Sequence, residues 1–543
     1  MAAYQELVRL WSSRYPKGTS ERFKRMDALS KLQDDSIYDI LPHPFEKEEN
    51  GVNNPIPLHE RRPNVRYMLP KIIVDHTSSL TFGDAHAPAV RIAEPSEDMD
   101  PKALANKHEQ FERIIEALEL DAVMIEAMKL GAVGSVAVIL RVLDDGYPWL
   151  DIIEGKYCIP HFDVKDPRKL VQLDQIYSVT AEDLRLAGYK GDYKPDKIYY
   201  IKITYTTTRT VVSMPLVKER YERLGEKDDD QKVIVWVKDE ERSYSNPLSF
   251  MPVVWIRNLP CRTAIDGDST FGCVADFTIQ ISYLLSQIGR GYYYTADPIL
   301  AEESSQLSTG IPLAGTDPDV DTEIRRSPAR MLKVDGKVSV LEISGEGLRG
   351  ASEHVKMLRE YALEVLSGMK SDSDNSKGVQ SGRALHYLHQ ALVWLAEKFR
   401  VSYGTRGYLA VLRMVFQGIA DGDIVIPNVE IDEVDPKVPL RLVWPQWSTP
   451  SGADMLAEIT ALATAAGSTP QFPVKILPIS VIAQKAASVV GISDQNRVAA
   501  ELEAEMEEKP PLTAADANDT KVEIADKAAK VKATQAKARS TAK

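Results

Sequence analysis

Residues 266–289 read DGDSTFGCVADFTIQISYLLSQIG. Within them Phe271, Val274, Phe277, Ile281, Leu284 and Ile288 recur at intervals that an α-helix gathers onto one face. Asp268 or Ser269 can cap the start, and Gly289 and Gly291 stand near the end. Residues 348–365, LRGASEHVKMLREYALEV, repeat the pattern with Leu348, Ala351, Val355, Leu358, Ala362 and Val365. Between the two, residues 297–345 carry Pro298, Pro312, Pro318 and Pro328 and an acidic turn over 317–323. Apolar runs at 331–334 and 338–343 then flank Asp335 and Gly336. The expectation is a pair of helices bracketing a small β-containing insertion with a hairpin.

Downstream, 367–378 (SGMKSDSDNSKG) is nearly free of apolar side chains and reads as a mobile loop. A third helix follows with Leu385, Leu388, Leu392, Leu395 and Phe399, and continues past Gly404 and Gly407 towards Leu412 and Phe416. The two glycines are the expected kink. At about 1.5 Å per residue, 382–403 alone would run roughly 33 Å. Residues 423–443 return to strand character and end at Trp444 and Trp447, after which 454–466, 479–490 and 494–508 read as helices. The last stretch, 509–543, is rich in Ala and ends basic, with Lys527, Lys530, Lys532, Lys537, Arg539 and Lys543, and reads as a disordered or loosely helical tail.

Upstream, residues 4–41 suggest short helices broken near Pro16, and 65–75 suit a helix with Pro70 near its start or at a kink and Gly83 as terminator. Phe111, Ile114, Ile115, Leu118, Leu120, Met124 and Met128 predict one helix over 107–130, followed by a strand over 131–142. Further strands are expected at 171–179, 198–205, 211–214, 233–237 and 253–256. The fold class is α+β, with a predominantly antiparallel sheet.

The 543 residues are 44% hydrophobic and 27% charged, which suits a globular chain of several units. Lys and Arg number 66 against 79 Asp and Glu, a net −13 that argues against gripping nucleic acid through its phosphates. Cys158, Cys261 and Cys273 are too few and scattered for a disulfide framework, as expected for a reducing compartment. Residues 1–10 lack a secretory core, and the longest apolar stretch, near 131–140, is far short of a bilayer span. A soluble protein without membrane contact is expected.

Chemistry-bearing motifs are absent. There is no phosphate loop, so Asp239 and Glu240 after an apolar run read as a strand and turn, and no dinucleotide signature, His-Glu-x-x-His helix or nucleophile elbow occurs. His386 and His389 lack a third local ligand. Asp317, Asp319 and Asp321 begin like a calcium loop, but Thr322 and Pro328 occupy the Gly and Glu positions. No catalytic residue, metal or cofactor is expected. Lys370 and Lys377 flank Asp372 and Asp374, so that loop's charge nearly cancels. Arg325, Arg326 and Arg330 make the insertion locally basic, either as a docking surface or as internal ion pairs.

In this order the elements resemble the portal proteins of tailed double-stranded DNA bacteriophages. The resemblance rests on 64–83 (a helix ending in a Gly turn), 123–146 (helix, Gly-Ser turn, strand), 248–258 (LSFMPVVWIRN) and Trp444 with Trp447, followed by Ile479, Ser480 and 491–494. It implies a wing from 1–265 and 421–447, stem helices at 266–296 and 346–366, and a clip at 297–345. A tunnel loop and long kinked helix would fill 367–420, and a helical crown 448–508. The tail, 509–543, is not explained by it.

The resemblance further implies a virion component assembled in the host bacterial cytoplasm. It would form a twelve-subunit ring at one capsid vertex, a channel through which DNA is packaged and ejected. Expected partners are double-stranded DNA, the terminase large subunit, the major capsid protein and scaffold, and neck or adaptor proteins. Lys370, Asp372, Asp374 and Lys377 would then face the duplex, and Arg325, Arg326 and Arg330 would dock partners. Two other readings stay open: an enzyme with a cleft between the α+β and helical parts, and another ring-forming virion adaptor.

Overall fold

The computed structural model describes residues 3–15, 19–50, 54–84, 86–93, 101–189, 191, 193–195, 198–214, 236–259, 264–296, 299–304, 336–341, 345–367, 393–427, 429, 436–445 and 447. Two compact units divide the chain. The first comprises residues 1–93 and 110–447, and the second 94–109 and 448–543. Of the second, the described residues are 101–109, the opening turns of a helix.

Helices α1 (Ala3–Arg14) and α2 (Glu21–Gln33) begin the chain, and the Ser20 hydroxyl caps α2 by accepting from the Phe23 N–H at 3.2 Å. A 3-10 turn (Ser36–Ile40) follows, then two-residue strands β1 (His43–Pro44) and β2 (Arg61–Arg62), which pair in parallel. Helix α3 (Leu69–Phe82) carries Pro70 in its first turn, where the missing N–H costs nothing, and ends at Gly83. Strand β3 (Ala89–Ile92) precedes α4 (Pro101–Ala117) and α5 (Leu120–Gly131).

The single helix expected over 107–130 is therefore two. Leu118 and Leu120 are both buried, and two positions apart on one helix they would point about 160° apart. Glu119 breaks the run by adopting φ 48, which lets both side chains turn inward.

Strand β4 (Ser135–Val142) lies between β5 (Pro148–Glu154) and β12 (Val253–Arg257) in a three-stranded antiparallel sheet. Six consecutive β4 residues from Ser135 are buried, because one face meets a second sheet and the other meets α5. A 3-10 corner at Gly155–Tyr157 carries the chain from β5 into that second sheet. Its antiparallel members, in chain order, are β6 (Cys158–Phe162), β7 (Leu170–Val179), β8 (Tyr199–Thr206), β9 (Arg209–Met214), β10 (Val237–Lys238) and β11 (Tyr244–Ser245). A short helix, α6 (Ala181–Leu186), joins β7 to β8 under a capping box made by Thr180 and Asp183. Ala137, Ile139 and Val253 of the first sheet pack against Cys158, Leu173 and Tyr205 of the second, so the core is the space between two sheets.

The described elements are thus mixed α+β with antiparallel pairing throughout, apart from β1 and β2. The expected strands at 171–179, 198–205, 211–214 and 253–256 are β7, β8, β9 and β12. The strand expected from 131 begins at Ser135, after α5 ends at Gly131. Of the strand expected at 233–237, the described residues contribute Val237 to β10.

Helix α7 (Ala275–Ala296) follows a 3-10 turn at Gly272–Val274, and strands β13 (Ile299–Ser304) and β14 (Gly336–Leu341) then form an antiparallel ribbon. Helix α8 (Gly345–Ser367) returns along α7. A helical rod occupies 393–421: α-helical over 393–399, π-helical over Arg400–Tyr408, and α-helical again as α9 (Leu409–Asp421). Finally β15 (Leu440–Val443) pairs antiparallel with β3.

Three further expectations change. Gly336 is not a hairpin turn but the first residue of β14, paired with Ser304. Residues 423–427 are irregular rather than strand. Gly422, at φ 82, ends α9 with the Asp423 and Ile424 N–H groups folded back onto the Gly418 carbonyl, and Pro427 has no N–H for a ladder. Gly404 and Gly407 lie in a widened π-helical stretch where a kink was expected. Among the described residues no helix is long and apolar enough to cross a membrane.

Candidate functional site

Helices α7 and α8 are linked by one ribbon and pack antiparallel. Gly291, near the end of α7, is covered by Leu348 at the start of α8, and α8 reaches back to the 3-10 turn that opens α7. At about 1.5 Å per residue, 22 and 23 residues give rods of roughly 33 and 35 Å. Leu358 and Ala362 of α8 are buried, as are Ile279, Ile281 and Ile288 of α7.

A second stripe on α7 is polar. Thr278, Ser282 and Ser286 are buried at four-residue spacing, and each hydroxyl donates to the carbonyl four residues earlier. Ser282 and Ser286 also accept the backbone N–H groups of Tyr67 and Val65, at 3.1 and 2.9 Å. The loop before α3 therefore hangs on α7 by two hydroxyls.

The root of the helix pair is a buried polar junction. Arg22 of α2 donates Nε to Asp266 Oδ2 at 2.6 Å and Nη2 to Oδ1 at 2.7 Å. The same guanidinium reaches the carbonyls of Cys158 and Gly155, at 2.7 and 2.9 Å, on the corner between the two sheets. Ser135 Oγ, at the start of β4, donates to Asp266 Oδ1 at 2.6 Å. Bidentate, further satisfied pairing of this kind offsets the cost of burying the charges.

Beside it, Gly267 lies so close to Asn258 and Leu259 that a Cβ would stand 2.7 Å from both backbone nitrogens, a spacing no other residue can accept. Asn258 Nδ2 donates to the Asp268 carbonyl at 2.8 Å and to Thr270 Oγ1 at 2.9 Å. Its Oδ1 accepts from the hydroxyl of Tyr403, in the π-helical stretch, at 2.9 Å. Burial pushes that phenol far up, so it remains a donor at any ordinary pH. Sheet, helix pair and rod are thereby joined at one point.

On the rod, a Cβ on Gly404 would lie 2.6 Å from Trp444 Cζ2, so this glycine admits the indole against the π-helical backbone. The Arg400 guanidinium stands 4.6 Å from the Trp444 ring centre and 3.3 Å from that of Trp447. Its burial pulls the guanidinium down to about 10.

Lys370, Asp372, Asp374 and Lys377, and Arg325, Arg326 and Arg330, lie outside the described residues, as do His386, His389, Asp317, Asp319 and Asp321. The described β14 and α8 place the ends of the two segments that carry the first two sets: 305–335 leaves β13 and enters β14, and 368–392 leaves α8 and enters the rod. Asp239 sits in a turn, bound to Arg242 at 3.1 Å. The junction residues Arg22, Ser135, Asn258, Asp266 and Tyr403 were not singled out in the sequence. The one signal available is that Asn258 directly follows β12, two residues past its apolar run Val253–Ile256, and that Tyr403 interrupts an apolar stripe.

A cleft of about 900 Å³ opens between the β4–β5 turn and residues 244–248, with Arg141, Asp144, Asp145, Tyr205 and Tyr244 on its walls. Its walls come from strands and turns of the two sheets, and Leu248 on one wall also lies against Gly418 of α9. Among the described residues no three His, Cys, Asp or Glu side chains converge as metal ligands. No protein-family model matches the chain, and no curated protein matches it.

Proposed function

We propose that this protein is a portal-type subunit: a structural component that assembles into a ring around a DNA channel at one capsid vertex. The observation that carries the reading is the helix–ribbon–helix unit of α7, β13, β14 and α8, rooted through Asn258 and Tyr403 in both the sheets and the long rod. A stalk of two antiparallel helices with a projecting ribbon suits an element that docks partners at its tip, and a glycine-bearing rod beginning beyond the 368–392 segment suits a channel wall.

Charge supports the same reading. Twelve copies would carry 12 × −13 = −156, which favours repulsion between wall and phosphates over adhesion. In this reading the energy for packaging comes from a separate terminase ATPase, while capsid, scaffold and neck proteins contact the ring from outside. Lys370 and Lys377 touch phosphate briefly, Asp372 and Asp374 shorten the contact, and Arg325, Arg326 and Arg330 serve the docking tip.

Electron microscopy of the purified protein, with light scattering for mass, tests the ring. A twelvefold ring with an axial hole is the expected image, and a monodisperse single chain at high concentration overturns the proposal. The channel loop has its own test. Reversing the charges at Lys370 and Lys377 is expected to change DNA packaging or retention in assembled particles, and unchanged packaging removes those residues from the reading.

A further inference from the structure

Asp35 stands out as a buried acid without a partner. It is 1% exposed, neither carboxylate oxygen meets a donor, and its backbone adopts φ 63, a region that Asp and Asn enter more readily than other non-glycine residues. Its backbone carbonyl accepts from Arg66 Nη1 at 3.1 Å. Arg66 Nη2 donates to Asp39 Oδ1 at 3.0 Å, and the guanidinium lies 5.7 Å from the ring centre of Tyr38.

Arg66 is flanked by Val65 and Tyr67, the two residues whose N–H groups hang on Ser286 and Ser282 of α7. Tyr38 in turn meets Tyr283 of α7 edge to face at 6.4 Å. One arginine therefore clasps the Asp35 turn to the loop that is pinned on α7. The charged and titratable groups facing Asp35 are Arg66 from the loop, Lys71 from α3, the neighbouring Asp34, and Tyr38 on the turn itself.

We infer that Asp35 is a proton-operated latch between the 36–40 turn and α7. With the carboxyl neutral, Arg66 stays on the Asp35 carbonyl and Asp39, and the clasp is shut. When the carboxyl releases its proton to solvent, the bare carboxylate favours a turn opened to water over the closed one, Arg66 leaves the Asp35 carbonyl and Asp39, and the 64–68 loop loosens from α7. The latch does not depend on the ring proposal, since every group in it belongs to one chain.

Burial lifts the carboxyl from 3.8 to about 6, against the opposing pull of Arg66 and Lys71. An opened turn ionises near the ordinary value, so opening is favoured about tenfold more at pH 8 than at pH 5.

Hydrogen exchange on the full chain between pH 5 and pH 8, corrected for the intrinsic pH dependence of amide exchange, tests the latch. In the unaltered protein, protection over 64–68 is expected to fall about tenfold across this range while that of α5 stays level. Asp35→Asn keeps the shape and the left-handed preference without the charge, and is expected to hold the pH 5 level of protection at pH 8. A level profile for 64–68 in the unaltered protein overturns the inference without any variant. So does an undiminished pH response in Asp35→Asn.

Discussion

The Tyr403 hydroxyl donates to Asn258 Oδ1 at 2.9 Å across 145 positions of sequence, and Tyr403 has no exposed surface. Removing one partner of a buried pair leaves the other unsatisfied, which costs more than the bond's own net worth. Tyr403→Phe is expected to lower stability by about 1–2 kcal/mol in chemical denaturation. Asn258→Ala also strips the donations to Asp268 and Thr270 and is expected to cost about 3 kcal/mol. A Tyr403→Phe protein with the original denaturation midpoint would show that this bond does not hold the junction.

Two glycines in helical backbone should respond to the same change with opposite signs. At Gly289 of α7 a Cβ meets nothing within 4 Å, so Gly289→Ala gains helix propensity and is expected to stabilise by about 0.5–1 kcal/mol. At Gly404 the rigid Trp444 ring occupies the space, so Gly404→Ala forces the indole or the π-helical backbone to shift and is expected to cost about 1–3 kcal/mol. Thermal melts of the two variants side by side decide it, and a stabilised Gly404→Ala would mean that the ring yields freely.

What could be read in advance follows from the range of the interactions. α7 and α8 were legible because their burial follows a local repeat, Val274 to Ile288 and Leu348 to Ala362. β5 and β6 were not, because Pro148, Pro160 and the corner at Gly155 break up runs whose partners lie elsewhere in the chain. The split at Glu119 was hidden by the same arithmetic: Leu118 and Leu120 fit a helical count loosely until both are known to be buried. The junction of Arg22, Ser135, Asn258, Asp266 and Tyr403 has little local pattern, since its members come from α2, β4, the connection between β12 and α7, and the π-helical stretch. The loop and clip residues proposed to meet DNA and partners lie outside the described residues.

Asp174 gives the fold an acid-sensitive point. In the middle of β7, between β6 and β8, it accepts from Lys202 Nζ at 2.9 Å, Thr204 Oγ1 at 2.8 Å and Gln172 Nε2 at 2.9 Å. Burial alone would raise this carboxyl, but those donors and the Lys202 charge outweigh it and hold it below the ordinary 3.8. A carboxylate depressed in the folded state adds stability that is complete above 3.8 and disappears as pH falls through the lower folded value. Asp174→Asn is therefore expected to cost about 2 kcal/mol at pH 7 and progressively less below pH 3.8. Urea unfolding of both proteins at pH 7 and pH 3 tests this, and an equal difference at the two values would refute the role of the charge.

The Arg400 cage separates packing from charge. Nε of Arg400 has no hydrogen-bond partner among the described residues, and Nη2 reaches the Pro445 carbonyl at 3.4 Å, so the guanidinium is held chiefly by the two indole faces. An ion buried with so few acceptors contributes little net stability, and an unbranched apolar side chain of similar length fills the same slot. Arg400→Met is expected to unfold within about 1 kcal/mol of the unaltered protein. Trp447→Ala, which removes one wall and leaves the cation without its closest ring, is expected to cost about 2 kcal/mol or more. Equal losses from the two substitutions would assign the stabilisation to the cation, because Arg400→Met keeps the wall and removes only the charge.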